Sequence, residues 1–470
     1  MIKKILQKEG LEQKSRVYKE QTIYELINPK TQKIVFQYIF YKHYFIGSYS
    51  PFLVEDVLRK IVSGEGIAFF EKSNQLLELV KIDQDDANIY VNFENLTEFL
   101  KVFVDDKYAQ NLDGLSDWAS TMMLDFFLSK SLIKWHGYSL FENQKNGHEF
   151  LQYFVNLPSS KLTDLQELIP LQTAVLYRQS FADGDEFYGL QKKYWQASKS
   201  NLPALQDSLT DKYGFESQEF FSLIQDELAL AILETSPQVP AEKLLFFKVN
   251  DGQKMRDLLF DLSQNTRQNP EDKIEEIYQD WTINRLNVND LPSKLLGNSF
   301  SGFPQSFFTI IKSRKKEYLV ISPSAATLRY LHQAIEEEEV WAKSVRTQRF
   351  LEKSNKKAHI GLFVDLPRVW NNFENHTSPN MKQTFQKYKY NWFGFEFLSI
   401  GFHARKDKVE TFLNLTQQSK FNHLASSELS FETVKNTKFA NTLRSKPFVV
   451  KNHVNRSREV LVQDAVNKIH

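Results

Sequence analysis

The 470-residue chain contains no cysteine, which excludes disulfide bonds, thiolate metal sites and cysteine nucleophiles. Glycine and proline are scarce, at 16 and 14 residues, so tight backbone approach to a phosphate is not expected. No apolar run reaches the roughly 18 residues that a membrane-spanning helix needs. The first residues carry a basic pair but lack the apolar core of a signal peptide. The sequence therefore predicts no transmembrane segment.

The chain also has no excess of positive or negative charge. The chain has 59 Lys and Arg against 58 Asp and Glu, a formal net charge of +1. This balance argues against a large nucleic-acid or anionic-membrane surface, although local charged patches remain possible. Hydrophobic residues make up 41% of the chain, which is typical of a folded protein. A length of 470 residues is enough for two or three domains.

Aromatic residues, by contrast, are abundant, with 39 Phe, 19 Tyr and 7 Trp. Large rings fill wide interfaces between sheets and helices, so the simplest interpretation is a broad Phe-rich core. The alternative is that part of the aromatic excess forms a stacking surface for a ligand. The sequence alone leaves both interpretations open.

One pattern occurs twice. Tyr44–Ile61 and Tyr318–Ile335 both begin with Tyr and an apolar run, continue through a Ser-rich turn, and end in apolar residues at helical spacing. Each copy predicts a strand, a turn and an amphipathic helix. Ser50 and Ser324 stand where a helix N-cap is expected.

Other segments recur in the same order. Thr22–Leu26 resembles Thr282–Leu286, and Ala87–Phe93 resembles Ala358–Val364. Similar elements that recur at a nearly constant offset indicate an internal duplication. We therefore predict an α+β fold with two related lobes, each an antiparallel sheet covered by helices.

This duplication suggests three domains. Residues 1–156 would be a first repeat that is incomplete at its N-terminus, and residues 157–430 a second repeat with a helical insertion at 157–277. Residues 431–470 would be a linker and the start of a missing β-domain. The last expectation rests on Arg458–His470, which has the pattern of a strand, a polar turn and the beginning of a return strand.

Motifs for known chemistry are not found. The ten histidines include no H-x-x-x-H or H-E-x-x-H pair, and no G-x-S-x-G, P-loop or dinucleotide-binding motif occurs. Ser48, Ser50, Ser322 and Ser324 could be nucleophiles at the start of a helix, but turn and cap roles are favoured. We predict no catalytic, cofactor-binding or metal-binding residue and no cofactor.

Three charged runs are most simply parts of solvated loops. Asp83–Asp86 resembles half of a calcium loop but lacks its glycine and distal glutamate, which favours a solvated turn. The basic run Lys312–Lys316 and the acidic run Glu336–Glu339 flank the second copy of the repeated element. These two runs are interpreted as loop tips, or alternatively as opposite poles of a partner-binding edge.

The repeated Tyr-strand-Ser-x-Ser-helix element, Thr173–Asp183 (TAVLYRQSFAD) and Val449–His470 together resemble a domain-of-unknown-function family of Bacteroidota cell-envelope proteins. In that family a duplicated α+β region precedes a β-propeller-like C-terminal half. The resemblance implies a periplasmic or cell-envelope location and a downstream β-propeller-like domain. It implies no activity and no functional residue.

Three functional hypotheses follow. The first is a non-catalytic cell-envelope module for protein binding or assembly, with a protein partner and no nucleic acid. The alternatives are a binder of lipid or another apolar ligand, and a hydrolase whose acidic residues are dispersed in sequence. A flat exposed apolar patch would favour the first, a dry apolar cavity the second, and a deep pocket with convergent carboxylates the third.

Overall fold

A computed structural model of the chain describes residues 10–64, 86–129, 131–141, 149–155, 157–198, 200–236, 240–267, 269, 271, 273–405, 408–417, 448–451, 458–464, 466 and 468–470. The apolar pattern of residues 67–79 predicts a helix, but these residues and the acidic residues 83 and 85 lie outside the described ranges. Residues 1–419 form one compact unit and residues 420–470 a second. In the described part, no helix is long and apolar enough to cross a bilayer.

The first unit begins with a small antiparallel sheet in the order β1-β2-β3-β4. Its strands are β1 (Glu12–Tyr18), β2 (Gln21–Ile27), β3 (Ile34–Tyr41) and β4 (Tyr44–Ser48), and helix α1 (Pro51–Ser63) follows directly. Ile23 and Ile39 of the sheet pack against Val54 and Leu58 of α1, and all four are buried. The helix therefore covers one face of the small sheet.

Thirteen further strands form one large sheet in which every neighbouring pair is antiparallel. In chain order they are β5 (Ala87–Asn92), β6 (Thr121–Leu128), β7 (Leu132–Leu140), β8 (Thr173–Ser180), β9 (Ile224–Leu233), β10 (Lys243–Val249), β11 (Glu275–Tyr278), β12 (Trp281–Leu286), β13 (Ser306–Ser313), β14 (Lys316–Ser322), β15 (Ile360–Asp365), β16 (Phe395–Arg405) and β17 (Lys408–Gln417). Their spatial order is β11-β12-β13-β14-β10-β9-β8-β15-β16-β17-β7-β6-β5.

Helices pack on both faces of this sheet. They are α2 (Phe93–Lys101), α3 (Asp106–Ala109), α4 (Gly184–Ala197), α5 (Leu202–Tyr213), α6 (Ser217–Ser222), α7 (Gly252–Asn265), α8 (Leu291–Leu296), α9 (Ala325–Glu336), α10 (Val345–Ser354), α11 (Leu366–His376), α12 (Pro379–Lys387) and α13 (Lys389–Trp392). Short 3₁₀ turns occupy Gln110–Leu115, Phe150–Phe154, Asp164–Glu167, Asn298–Phe300 and Trp341–Lys343.

Among the described residues, three large apolar cores lie against the large sheet. One face of β8–β10 and β12–β14 packs against α4 to α8 around Phe220 and Phe247. The other face packs against α9 and α10, where Leu328, Leu331 and Phe350 are buried. A third core lies under β16 and β17. The Phe-rich composition thus fills sheet and helix interfaces, as the simplest interpretation expected.

The prediction of two related lobes, each with its own sheet covered by helices, is wrong. Strands from both halves of the chain belong to the large sheet, which is continuous because β7 pairs with β17 from Leu132 opposite Thr416 to Leu140 opposite Lys408. This pairing satisfies the backbone groups that two separate lobes would leave at exposed edges. The similarity is only local: β4 is followed by α1 and β14 by α9, but α8 interrupts the second series between β12 and β13 and has no counterpart among β1–β4.

The second unit contains a hairpin of β18 (Phe448–Lys451) and β19 (Arg458–Leu461). After β19 the chain turns at Asp464, whose carboxylate accepts hydrogen bonds from the backbone N–H groups of Val466 (3.0 Å) and Lys468 (2.9 Å). The residues after this turn pair back onto the chain, with Gln463 opposite Ile469. The expected strand and turn are therefore present.

Candidate functional site

The face of the small sheet opposite α1 is lined with aromatic rings. Strand alternation places Tyr24 on β2, Phe36, Tyr38 and Phe40 on β3, and Phe45 beside β3 on β4. The Tyr24 and Tyr38 rings stack with centroids 5.0 Å apart, and Phe45 lies 5.5 Å from both Tyr38 and Phe40. With Tyr49, which contacts Phe36 at 5.0 Å, these six residues are called the aromatic face.

Much of this face is open to solvent. Phe40 is 58%, Phe45 49% and Tyr49 80% exposed, whereas Tyr38 at the centre is buried. That burial raises the pKa of Tyr38. A Cβ at Gly47 would lie 2.6 Å from Cζ of Phe36, so glycine is needed for this ring to lie across β4. The result is a flat, contiguous apolar surface rather than scattered exposed side chains.

A second feature is a cleft of about 310 Å³ where β12 and β13 meet the end of α9. We call it the mixed-charge cleft. Its apolar lining includes Trp281 and Ile335. Its polar lining combines both charged runs of the sequence: Lys312, Ser313, Glu336 and Glu338, together with Glu167, Asp280, His332 and Lys343. The structure thus brings residues of the basic run and of the acidic run to one cleft.

Most charges in the mixed-charge cleft are already paired. Nε2 of His332 lies 2.6 Å from Oδ1 of Asp280, and this hydrogen bond lowers the pKa of that carboxyl group. Lys343 pairs with Glu338 at 2.7 Å. Glu167 is held by Arg314 just outside the lining. These carboxylates are therefore engaged with neighbouring side chains and do not converge on an empty space.

The repeated serines act in local structure. Oγ of Ser324 accepts a hydrogen bond from the backbone N–H of Thr327 at 3.1 Å and caps α9. Oγ of Ser48 accepts from the N–H of Ser50 at 3.0 Å. Ser50 occupies the N-cap position of α1, but its side chain makes no capping hydrogen bond. The cap prediction is confirmed for Ser324 and is wrong for the Ser50 side chain.

A histidine–carboxylate cluster was missed by sequence reasoning. Nε2 of His136 lies 2.9 Å from Oε1 of Glu410, and Nδ1 of His403 lies 3.7 Å from Oε2. The hydrogen bond from His136 holds the pKa of Glu410 at about 2. His403 and Glu410 are opposite each other on β16 and β17, but His136 arrives only through the β7–β17 pairing. No sequence motif signals that long-range contact.

Within the described ranges, no group of three or more His, Asp or Glu residues has the arrangement to hold a metal ion. Comparison of the chain with protein-family models, curated proteins and solved structures finds no match. The resemblance to a Bacteroidota envelope family therefore stays a prediction.

Proposed function

We propose that the protein is a non-catalytic cell-envelope module that binds another protein chain through the aromatic face. The observation that carries this proposal is the contiguous exposure of Phe40, Phe45 and Tyr49 on an open sheet. Covering a half-exposed phenylalanine is worth about 1 to 2 kcal/mol. Several such rings in one flat patch supply the core of a protein interface.

Strand β4, which lies at one edge of the small sheet, offers a second means of recognition. In the part of the chain that the structure describes, β4 pairs only with β3, so its other edge has backbone groups available to a partner strand. The exposed ring of Phe45 lies on this same strand. A partner could therefore combine backbone pairing along β4 with apolar contacts on the aromatic face.

The two alternative functions have less support. The fully apolar cavity beside Phe150 and Tyr194 holds only about 10 Å³, which is too small for a lipid chain. The cavities of about 310 and 410 Å³ are both lined with charged side chains. A hydrolase would need carboxylates poised on a substrate, whereas those of the mixed-charge cleft are mostly held in ion pairs.

Site-specific photo-cross-linking in the native host tests the proposal. A benzophenone amino acid is placed at Phe40 or Phe45 in the full chain, and at Val62 as a control. Val62 is 55% exposed on α1, the helix that covers the other face of the sheet. We expect irradiation to give protein-sized adducts at positions 40 and 45 and none at 62. Cell fractionation of the same strains should place the chain in the envelope.

Adducts of lipid size at Phe40 and Phe45 would contradict protein binding and support the apolar-ligand alternative. Equal protein adducts at all three positions would show that the aromatic face has no special role. Mass spectrometry of a specific adduct would distinguish a second copy of this chain from a different partner.

A further inference from the structure

A local excess of positive charge lies on one face of β7, β16 and β17. Val409 and Ala404 point into the third core, so strand alternation places Glu410, His403 and Arg405 on the opposite face. Lys134 and Lys408 belong to this face, and Lys356 and Lys357 approach it from the loop after α10. We call these five cations, Lys134, Lys356, Lys357, Arg405 and Lys408, the basic face.

Carboxylates on this face are fewer than its five cations: they are Glu410 on β17 and Asp125 on β6, which strand pairing places opposite His136. Glu410 is already engaged by His136 and His403, and it lies 3.7 Å from Nη2 of Arg405. Across the described ranges, no carboxylate lies within ion-pair distance of the four lysines. Three of them instead place their ammonium groups over rings: Lys134 over Phe127, Lys356 over Phe412 and Lys408 over Tyr138.

The positive charges of the basic face also repel one another. Partial burial lowers the pKa of Lys356, and the positive charge of Lys134 lowers it further. Burial and the charge of Arg405 similarly lower the pKa of His403. A nearby anion would relieve this repulsion. Because the whole chain carries 59 basic and 58 acidic residues, such crowding is a local property and not a general one.

We propose that the basic face docks the protein on a membrane surface that contains anionic phospholipids. The cations are spread over three adjacent strands and one loop, which matches a plane of separate phosphate groups better than one compact anion. The contact would be peripheral, and it is separate from the protein-binding role of the aromatic face.

Vesicle co-sedimentation of the full chain tests this inference. We expect binding to vesicles of phosphatidylcholine mixed with phosphatidylglycerol, no binding to phosphatidylcholine alone, and release by added salt. Lys356→Glu with Lys357→Glu should weaken binding at least about tenfold. Lys192→Glu with Lys212→Glu makes the same change in net charge on exposed residues of α4 and α5, and should leave binding unchanged.

The milder pair Lys134→Gln with Lys408→Gln provides a second variant if the first fails to fold, and it should also reduce binding. The proposal is overturned if wild-type protein does not bind the anionic vesicles. It is also overturned if both double Lys→Glu variants weaken binding equally, since only total charge would then matter. Binding to soluble polyphosphate without binding to vesicles would assign the basic face to a soluble polyanion instead.

Discussion

Replacing Glu227 by alanine is expected to lower the free energy of unfolding by about 3 to 5 kcal/mol. Glu227 on β9 forms an ion pair with Arg178 on the neighbouring strand β8, and both side chains are buried. Arg178 also donates to the backbone carbonyls of Ser160 at 3.0 Å and Lys161 at 3.2 Å. Removing the carboxylate would leave a guanidinium charge in the interior with only neutral acceptors.

Chemical denaturation followed by tryptophan fluorescence measures this loss. The double variant Arg178→Met with Glu227→Leu should lose clearly less stability than Glu227→Ala, because it removes both charges together. Glu98→Ala, which breaks an exposed pair with Lys101, serves as the surface control and should change little. A cost below about 1 kcal/mol for Glu227→Ala would show that the pair is not buried in the folded protein.

Acidification should destabilise the protein through His359, at a cost of about 2 to 3 kcal/mol. Nδ1 of this buried ring accepts the N–H of Ala404 at 3.1 Å, and Nε2 lies 2.8 Å from the carbonyl oxygen of Leu157. Only the neutral ring with its proton on Nε2 satisfies both bonds. Burial accordingly lowers the pKa of His359 to about 4.

The direction of the effect follows from this pKa. In the unfolded chain the ring takes up a proton near pH 6.5, whereas in the folded protein it does so only near pH 4. The contribution to stability is therefore complete above pH 6.5 and is lost as the pH falls towards 4. His359→Asn should flatten the pH dependence of the unfolding free energy in this window. The matched variant His43→Asn, at an exposed site, should keep the wild-type slope.

Local patterns in the sequence predicted many elements correctly. The Tyr44 segment gives β4 followed by α1, and the Tyr318 segment gives β14 followed by α9. These predictions succeed because hydrophobic periodicity and turn residues determine secondary structure through neighbours that are close in sequence.

The arrangement of the strands was not predictable in the same way. Strands β8 to β10 lie between β14 and β15, and β7 joins β17 across a long stretch of sequence. Pairing at that distance depends on which edges remain free after the local elements have formed, and no residue pattern records it. The prediction of a two-lobe fold was wrong because it used only local patterns, which do not record how distant strands pair.

The candidate surfaces also combine features that local sequence patterns predict with features that depend on long-range packing. Phe36, Tyr38 and Phe40 alternate visibly along β3, so an aromatic sheet face could have been predicted. The exposure of this face could not have been predicted, because it depends on α1 packing against the opposite face of the sheet. The basic face depends on the β7–β17 register for Lys134, and on the loop after α10 for Lys356 and Lys357.

Formation of one disulfide tests the continuous sheet most directly. Oγ of Ser139 on β7 lies 2.9 Å from Oγ1 of Thr411 on β17, and the natural chain has no cysteine to interfere. In the variant Ser139→Cys with Thr411→Cys, mild oxidation of the folded protein should give an intramolecular disulfide in nearly all molecules. The control Ser139→Cys with Thr384→Cys, whose second position lies on α12, should not cross-link. Two free thiols in the oxidised, folded Ser139→Cys/Thr411→Cys protein would contradict a sheet that joins the two halves of the chain.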